Sequence, residues 1–225
     1  MKMVVTILII AMCGSVCWGT FYGNVHVDLT AIVDRVYDSH SFLDGTISSG
    51  DKFSGSYQYS VPCEDSDPLF SEAEYMYKEI PQCYMNFKIG GHTFATVTDN
   101  SDMLVQIWND VSLGDFTPKD YFGVRSYNNL PLDNGTDVLA ILWQLQSTLN
   151  PLADTSLLLE GPVSEEWDWY RGIEITGGPR EAECKDKFHL WARVTSVEST
   201  FYEIPEPATV LLLICGSLIT IRKKK

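Results

Sequence analysis

Between Gly23 and Ile204 the apolar residues recur every second position, in short runs that turn residues cut off. That pattern constrains the chain more than any other feature. A period of two places successive side chains on opposite faces of an extended strand, whereas a helix needs a period near 3.6. In "NVHVDLTAIVDRVY", Val25, Val27 and Leu29 fall on one side, and His26, Asp28 and Thr30 on the other. "DKFSGSYQYSV" puts Phe53, Tyr57 and Tyr59 on one parity, with Gly55 among them as the mark of a bulge or a close approach. "CYMNFKIGGHTFATVTD" holds two β-rich runs around Gly90-Gly91, a hairpin signal. "MLVQIWNDV", "YFGVRSYNN" and "RGIEITGG" read as further strands. "KFHLWARVTSVES" closes the series with Phe188, Leu190, Ala192 and Val194 on one face. Ser48-Ser49-Gly50-Asp51 and Asp133-Asn134-Gly135 supply turns. "DVLAILWQLQST" suits a strand or a short helix, and its neighbours favour strand. Many short strands at roughly ten-residue spacing predict an all-β fold, a single antiparallel, jelly-roll-like β-sandwich.

Composition supports a packed body: about 45% of residues are hydrophobic, and there are 11 Tyr, 10 Phe and 6 Trp. Thirty acids face sixteen Lys and Arg, for a formal charge of −14. Five of the cations, Lys2, Arg222, Lys223, Lys224 and Lys225, stand at the ends, so the middle is more acidic still. Such a surface repels phosphate backbones, which excludes nucleic acid as a partner. Net charge of this kind also keeps an exported protein soluble.

Both ends read as addresses. "MKMVVTILIIAMCGSVCWGTFYG" gives a charged Lys2, an apolar run and then small residues at Gly14, Ser15, Cys17 and Gly19. This is the layout of a secretory signal peptide over residues 1–19, cut after Cys17 or Gly19. Lipid attachment at Cys13 or Cys17 is disfavoured by the bulky Met12 and Val16 before them. At the other end, Ala208 to Ile221 carry no charge. As a helix they would reach about 21 Å. That is short for a hydrocarbon core about 30 Å thick, unless Tyr202 anchors one interface and the basic residues snorkel at the other. Arg222 to Lys225 would then face the cytoplasm and the folded middle would face outward.

The order of motif, single transmembrane helix and basic tail is specific. "PEPATVLLLICGSLITIRKKK", from Pro205, Glu206, Pro207 and Ala208 to the terminal cations, resembles the PEP-CTERM sorting signal of bacterial exported proteins. The resemblance covers residues 204–225. It implies processing by an exosortase, a membrane-embedded thiol transpeptidase-like enzyme, and a destination at the cell surface or in an extracellular matrix of exopolysaccharide or biofilm. Two prolines also hold Glu206 in extended backbone, a form that fits a processing cleft. The middle, residues 20–203, is then the ectodomain.

Six cysteines occur, of which Cys63, Cys83 and Cys184 lie in the middle. In an exported protein Cys63 and Cys83 form the expected disulfide, closing a loop of about twenty residues at roughly 3 kcal/mol. Cys184 is then left over, though pairings of Cys184 with Cys63 or Cys83 are also open. No Cys-x-x-Cys or paired-His spacing suggests a metal. Two acidic turns, Glu64 to Asp67 and Asp99 to Asp102, offer calcium oxygens without EF-hand spacing. His26, His40, His92 and His189 are isolated in sequence, and no catalytic elbow, phosphate loop or dinucleotide fingerprint appears. Glu165, Glu166 and Asp168 beside Trp167 and Trp169 are what a sugar-cleaving or sugar-binding face would use. In a strand, however, the two tryptophans share a face and read as core. The reading is therefore a non-enzymatic exported protein without a cofactor, with a carbohydrate-binding module and a secreted glycoside hydrolase as alternatives.

Overall fold

The computed structural model describes residues 23–66, 71–112, 118–149, 152 and 167–204. The described chain is all-β. Its strands are β1 (Gly23–Tyr37), β2 (Lys52–Val61), β3 (Glu72–Lys78), β4 (Tyr84–Ile89), β5 (His92–Ala95), β6 (Asp102–Ser112), β7 (Pro118–Ser126), β8 (Val138–Ser147), β9 (Tyr170–Gly177) and β10 (Phe188–Glu203). All belong to one hydrogen-bonded antiparallel sheet in the order β3-β6-β7-β8-β9-β10-β1-β2-β4-β5. The described helical structure is confined to two 3-10 turns, Thr98–Asn100 and Cys184–Asp186.

Alternation places the strands as expected. Val25, Val27 and Leu29 are buried while Asp28 and Thr30 are exposed. Phe188, Leu190, Ala192 and Val194 face inward along β10. "VLAILWQLQS" is strand β8, with Ile141, Trp143 and Leu145 in the core. Gly90 and Gly91, with φ of 58° and 89°, make the two-residue turn between β4 and β5. Positive φ at both central positions matches the twist of the flanking strands. At Gly55 the register is continuous, so no bulge occurs there; its partner Phe87 packs over it.

The sheet curls until its two halves meet. In the sheet order β2 and β7 are five steps apart, about 24 Å if the sheet were flat. Yet the Tyr59 ring on β2 lies 6.5 Å from Phe122 on β7, and Tyr57 lies 4.9 Å from Trp143 on β8. Phe94 on β5 likewise lies 6.3 Å from Phe188 on β10. The core fills the concave side, where aromatic rings bury large areas. Three devices hold the curled edges. Tyr77 Oη on β3 donates to Ser60 O on β2 at 2.8 Å. Asp65 bridges to Tyr75. The buried Thr96 hydroxyl meets Ser126 Oγ at 2.8 Å and accepts from Met85 N at 3.0 Å.

The longest strands, β1 and β10, pair from Gly23↔Glu203 to Tyr37↔His189, with two register shifts. The described chain thus enters and leaves the sheet side by side, at one pole.

Candidate functional site

The sorting residues Pro205, Glu206, Pro207, Ala208, Ile221, Arg222, Lys223, Lys224 and Lys225 lie outside the described residues, as do residues 1–22, Glu165 and Glu166. Among the described residues, no helix is long and apolar enough to cross a membrane.

The expected Cys63–Cys83 disulfide is not formed: both are free thiols. Each sulfur already has other neighbours. Cys63 Sγ donates toward Met76 O at 3.6 Å and Glu64 O at 3.8 Å, and Cys83 Sγ lies 3.6 Å from Ser60 Oγ. Burial pushes both thiols up, Cys83 to about 11. Cys184 is free as well, and exposed, which also sets aside its pairing with either.

The tryptophan pair divides. Trp167 is buried in the core, whereas Trp169 is 47% exposed. The parity argument fails because β9 begins only at Tyr170, so neither residue is in a strand. Asp168 between them serves the chain itself. Its carboxylate accepts from Ser147 Oγ at 2.9 Å, Thr148 N at 2.8 Å and Thr148 Oγ1 at 2.7 Å. Those bonds, the Thr148 pair first, hold its carboxyl below the usual carboxylate range. In the acidic turns, Asp65 Oδ1 accepts from Glu74 N at 2.9 Å. Asp102 Oδ1 is buried without a hydrogen bond. Among the described residues no group of three His, Cys, Asp or Glu could hold a metal ion. Among the described residues the one fully buried acid, Asp120, is satisfied by Asp110 N at 2.9 Å and Leu152 N at 2.7 Å, pinning the β6 irregularity where Asp110 has φ of 58°.

Each histidine has partners. His26 touches Tyr84 Oη at 3.2 Å and Asp28 at 3.3 Å. His40 meets Asp186 at 3.2 Å, and His92 meets Thr46 Oγ1 at 2.9 Å. His189 meets Cys184 Sγ at 3.2 Å.

The convex face over β6 to β10 brings together residues that the sequence scatters. Cross-strand register aligns Trp108, Tyr121, Gln146 and Tyr170 in one row. The next row holds Gln106, Gly123, Gln144, Gly172 and Arg193. Trp108 and Tyr121 stack at 4.5 Å. At Gly123 and Gly172 the rings of Tyr121 and Tyr170 lie back across the backbone, where a Cβ would make them shift. Burial pushes the Tyr121 hydroxyl up to about 12, and burial with Glu174 nearby raises Tyr170. Gln106 Nε2 donates to Glu74 at 2.7 Å and Gln144 Nε2 to Glu174 at 3.1 Å, so both amides are fixed in orientation. Further along, Trp191 takes the Arg35 guanidinium over one ring at 4.2 Å and stacks with His189 at 5.5 Å.

Tyr121 is 5% exposed and backs Trp108, so the part-buried Trp108 and Tyr170 rings, beside oriented amides and carboxylates, carry the chemistry that holds a polar, ring-shaped ligand: the rings take its apolar C–H faces and the amides take its hydroxyls. The signal for this face is present as aromatic-Gly alternation on the polar parity of "YFGVR" and "YRGIE", but the row exists only once the register is known.

Comparison of the chain with family models, with curated proteins and with solved structures finds no match in any of the three.

Proposed function

We propose that the chain is an exported, non-enzymatic protein of the bacterial cell surface or extracellular matrix, of the PEP-CTERM kind, sorted through Pro205-Glu206-Pro207 by an exosortase. The observation that carries this reading is the pairing of Gly23 with Glu203. The described chain therefore begins and ends at one pole of the folded body, which suits a body carried on a C-terminal segment. In sequence the sorting motif begins two residues after that last pair, which supports recognition close to the body. The curled sheet is read as a jelly-roll-like sandwich.

Deleting residues 205–207 tests the sorting reading. The unaltered protein should mature to a form ending near Pro207, by intact mass, in the surface or matrix fraction. The deletion should leave full-length chain in the membrane. Retention of Arg222 to Lys225 in the unaltered mature protein, or unchanged localisation of the deletion, would overturn it.

A second reading, as a carbohydrate-binding module, is favoured by the row Trp108, Tyr121, Gln146 and Tyr170. It matches an exopolysaccharide partner, since an acidic body with a ring-and-amide face suits a neutral glycan better than an anionic one. Retention on cellulose or chitin that vanishes in Trp108→Ala, with melting preserved, supports it. No retention on any polysaccharide removes it.

A further inference from the structure

Cys184 and His189 are in contact and play no part in the sorting or glycan readings. The 3-10 turn Cys184–Asp186 leads into β10, whose second residue is His189. Cys184 Sγ stands 3.2 Å from His189 Nε2, and the residue is exposed. The other ring nitrogen, Nδ1, lies 3.4 Å from Thr176 Oγ1, on the residue directly opposite in β9. One ring face is stacked with Trp191 at an interplanar angle of 13°. The imidazole is therefore positioned at both nitrogens and along a face. A nucleophile within reach of a base that a third group orients is the general arrangement of an activated thiol.

The Cys184 carbonyl oxygen is a second neighbour of the base. It too lies 3.2 Å from Nε2. In the tautomer with its proton on Nδ1, Nε2 is free to accept the thiol proton, and the N–H so formed has both the thiolate and that carbonyl oxygen within hydrogen-bond distance. The nearby acids are engaged elsewhere, Glu183 with Lys185 at 2.9 Å and Asp186 with His40 at 3.2 Å. Neither Cys63 nor Cys83 shares these features, since both are at least half-buried and lack an imidazole among their sulfur neighbours.

We propose that Cys184 is a thiol-exchange site, taking a low-molecular-weight disulfide as its co-reactant. The thiol passes its proton to His189 Nε2. The thiolate attacks one sulfur of the disulfide, the S–S bond breaks, and a Cys184 mixed disulfide forms. The leaving thiolate departs with the electron pair and takes a proton, so the external disulfide is half reduced as Cys184 is oxidised. This inference is independent of the sorting reading, because purified protein suffices to test it.

The full chain in detergent is mixed with excess oxidised glutathione at neutral pH, quenched with acid at intervals and read by peptide mass, so that each of the six cysteines is followed separately. The same chain unfolded in urea gives the reference rate for the Cys184 peptide. Native Cys184 should react roughly tenfold faster than in the unfolded chain. His189→Gln should bring it to the unfolded rate or below while melting is unchanged. Thr176→Val, which leaves the imidazole in place but frees its Nδ1 side, should lower it partway. A native rate no higher than the unfolded one, or an undiminished rate in a folded His189→Gln or Thr176→Val variant, would overturn the proposal.

Discussion

Tyr57 and Trp143 meet in the core with ring centroids 4.9 Å apart, and each brings a buried polar atom, Oη and Nε1, that has no hydrogen-bond partner among the described residues. Burial, and then the neighbouring Tyr59, raise the Tyr57 hydroxyl well above its ordinary range. Burying a hydroxyl without a partner costs stability, so removing it relieves that cost. Tyr77 is the contrast: also fully buried, it spends its hydroxyl on Ser60 O. Tyr57→Phe should therefore be neutral or stabilising, and Tyr77→Phe should cost about 1 kcal/mol. Urea unfolding of the two variants checks this. A Tyr57→Phe loss equal to that of Tyr77→Phe would show that the Tyr57 hydroxyl has a partner.

Gly55 sits opposite Phe87 in the β2–β4 pair, with that ring packed where a Cβ would stand. The ring is itself fixed edge-on by Phe53 at 6.2 Å. Overpacking of this kind costs roughly 1–3 kcal/mol. Gly55→Ala should fall at the upper end, because the Asn86 carbonyl would also be met and backbone yields least. Phe87→Val in the same chain should recover part of the loss, by relieving the ring but not the carbonyl. A fully additive double mutant would mean the two sites do not touch.

The strands were readable because alternation reports burial directly, and Gly55, Gly90 and Gly91 were readable because a glycine in a β-run marks a steric need. What alternation cannot report is register. Trp108 and Tyr170 are 62 positions apart in sequence, and only the cross-strand pairing of β6 through β9 puts them in one row. The joining of all ten described strands into one curled sheet is equally non-local, as is the meeting of Tyr59 with Phe122. Parity misled at Trp167 and Trp169 because it holds only inside a strand. The cysteine pairing misled because loop length gives the entropy of closure, not the direction of the sulfurs. His189 looked isolated because its partner Cys184 is reached through a turn rather than a strand period.

The free state of Cys63 and Cys83 has a direct consequence for stability. With no S–S bond to break, a reductant should leave the melting temperature of the folded body unchanged. The intact mass of this body should not show the two-hydrogen deficit of a bridge. A drop of several degrees on reduction, as loss of a stabilising crosslink would give in a domain of this size, would restore the bridge. Alkylation at neutral pH should be slow at both residues until the chain unfolds, since burial keeps their thiols protonated.

Asp168 links the end of β8 to the approach to β9 by accepting from Ser147 and twice from Thr148. These bonds favour the ionised carboxylate, so its folded-state value lies below that of the unfolded chain. The stabilisation is therefore fully present above the unfolded value, and fades as pH falls through the ordinary carboxylate range and on through the lower folded value. Because the group is exposed, solvent screening limits the effect to about 1 kcal/mol at neutral pH. Asp168→Ala should lose that amount at pH 7 and converge with the unaltered protein as the pH is lowered past the carboxylate range. Urea midpoints of the two proteins, measured from pH 7 downward, give the difference curve. A difference that stays constant with pH would show that Asp168 acts through packing rather than through its charge.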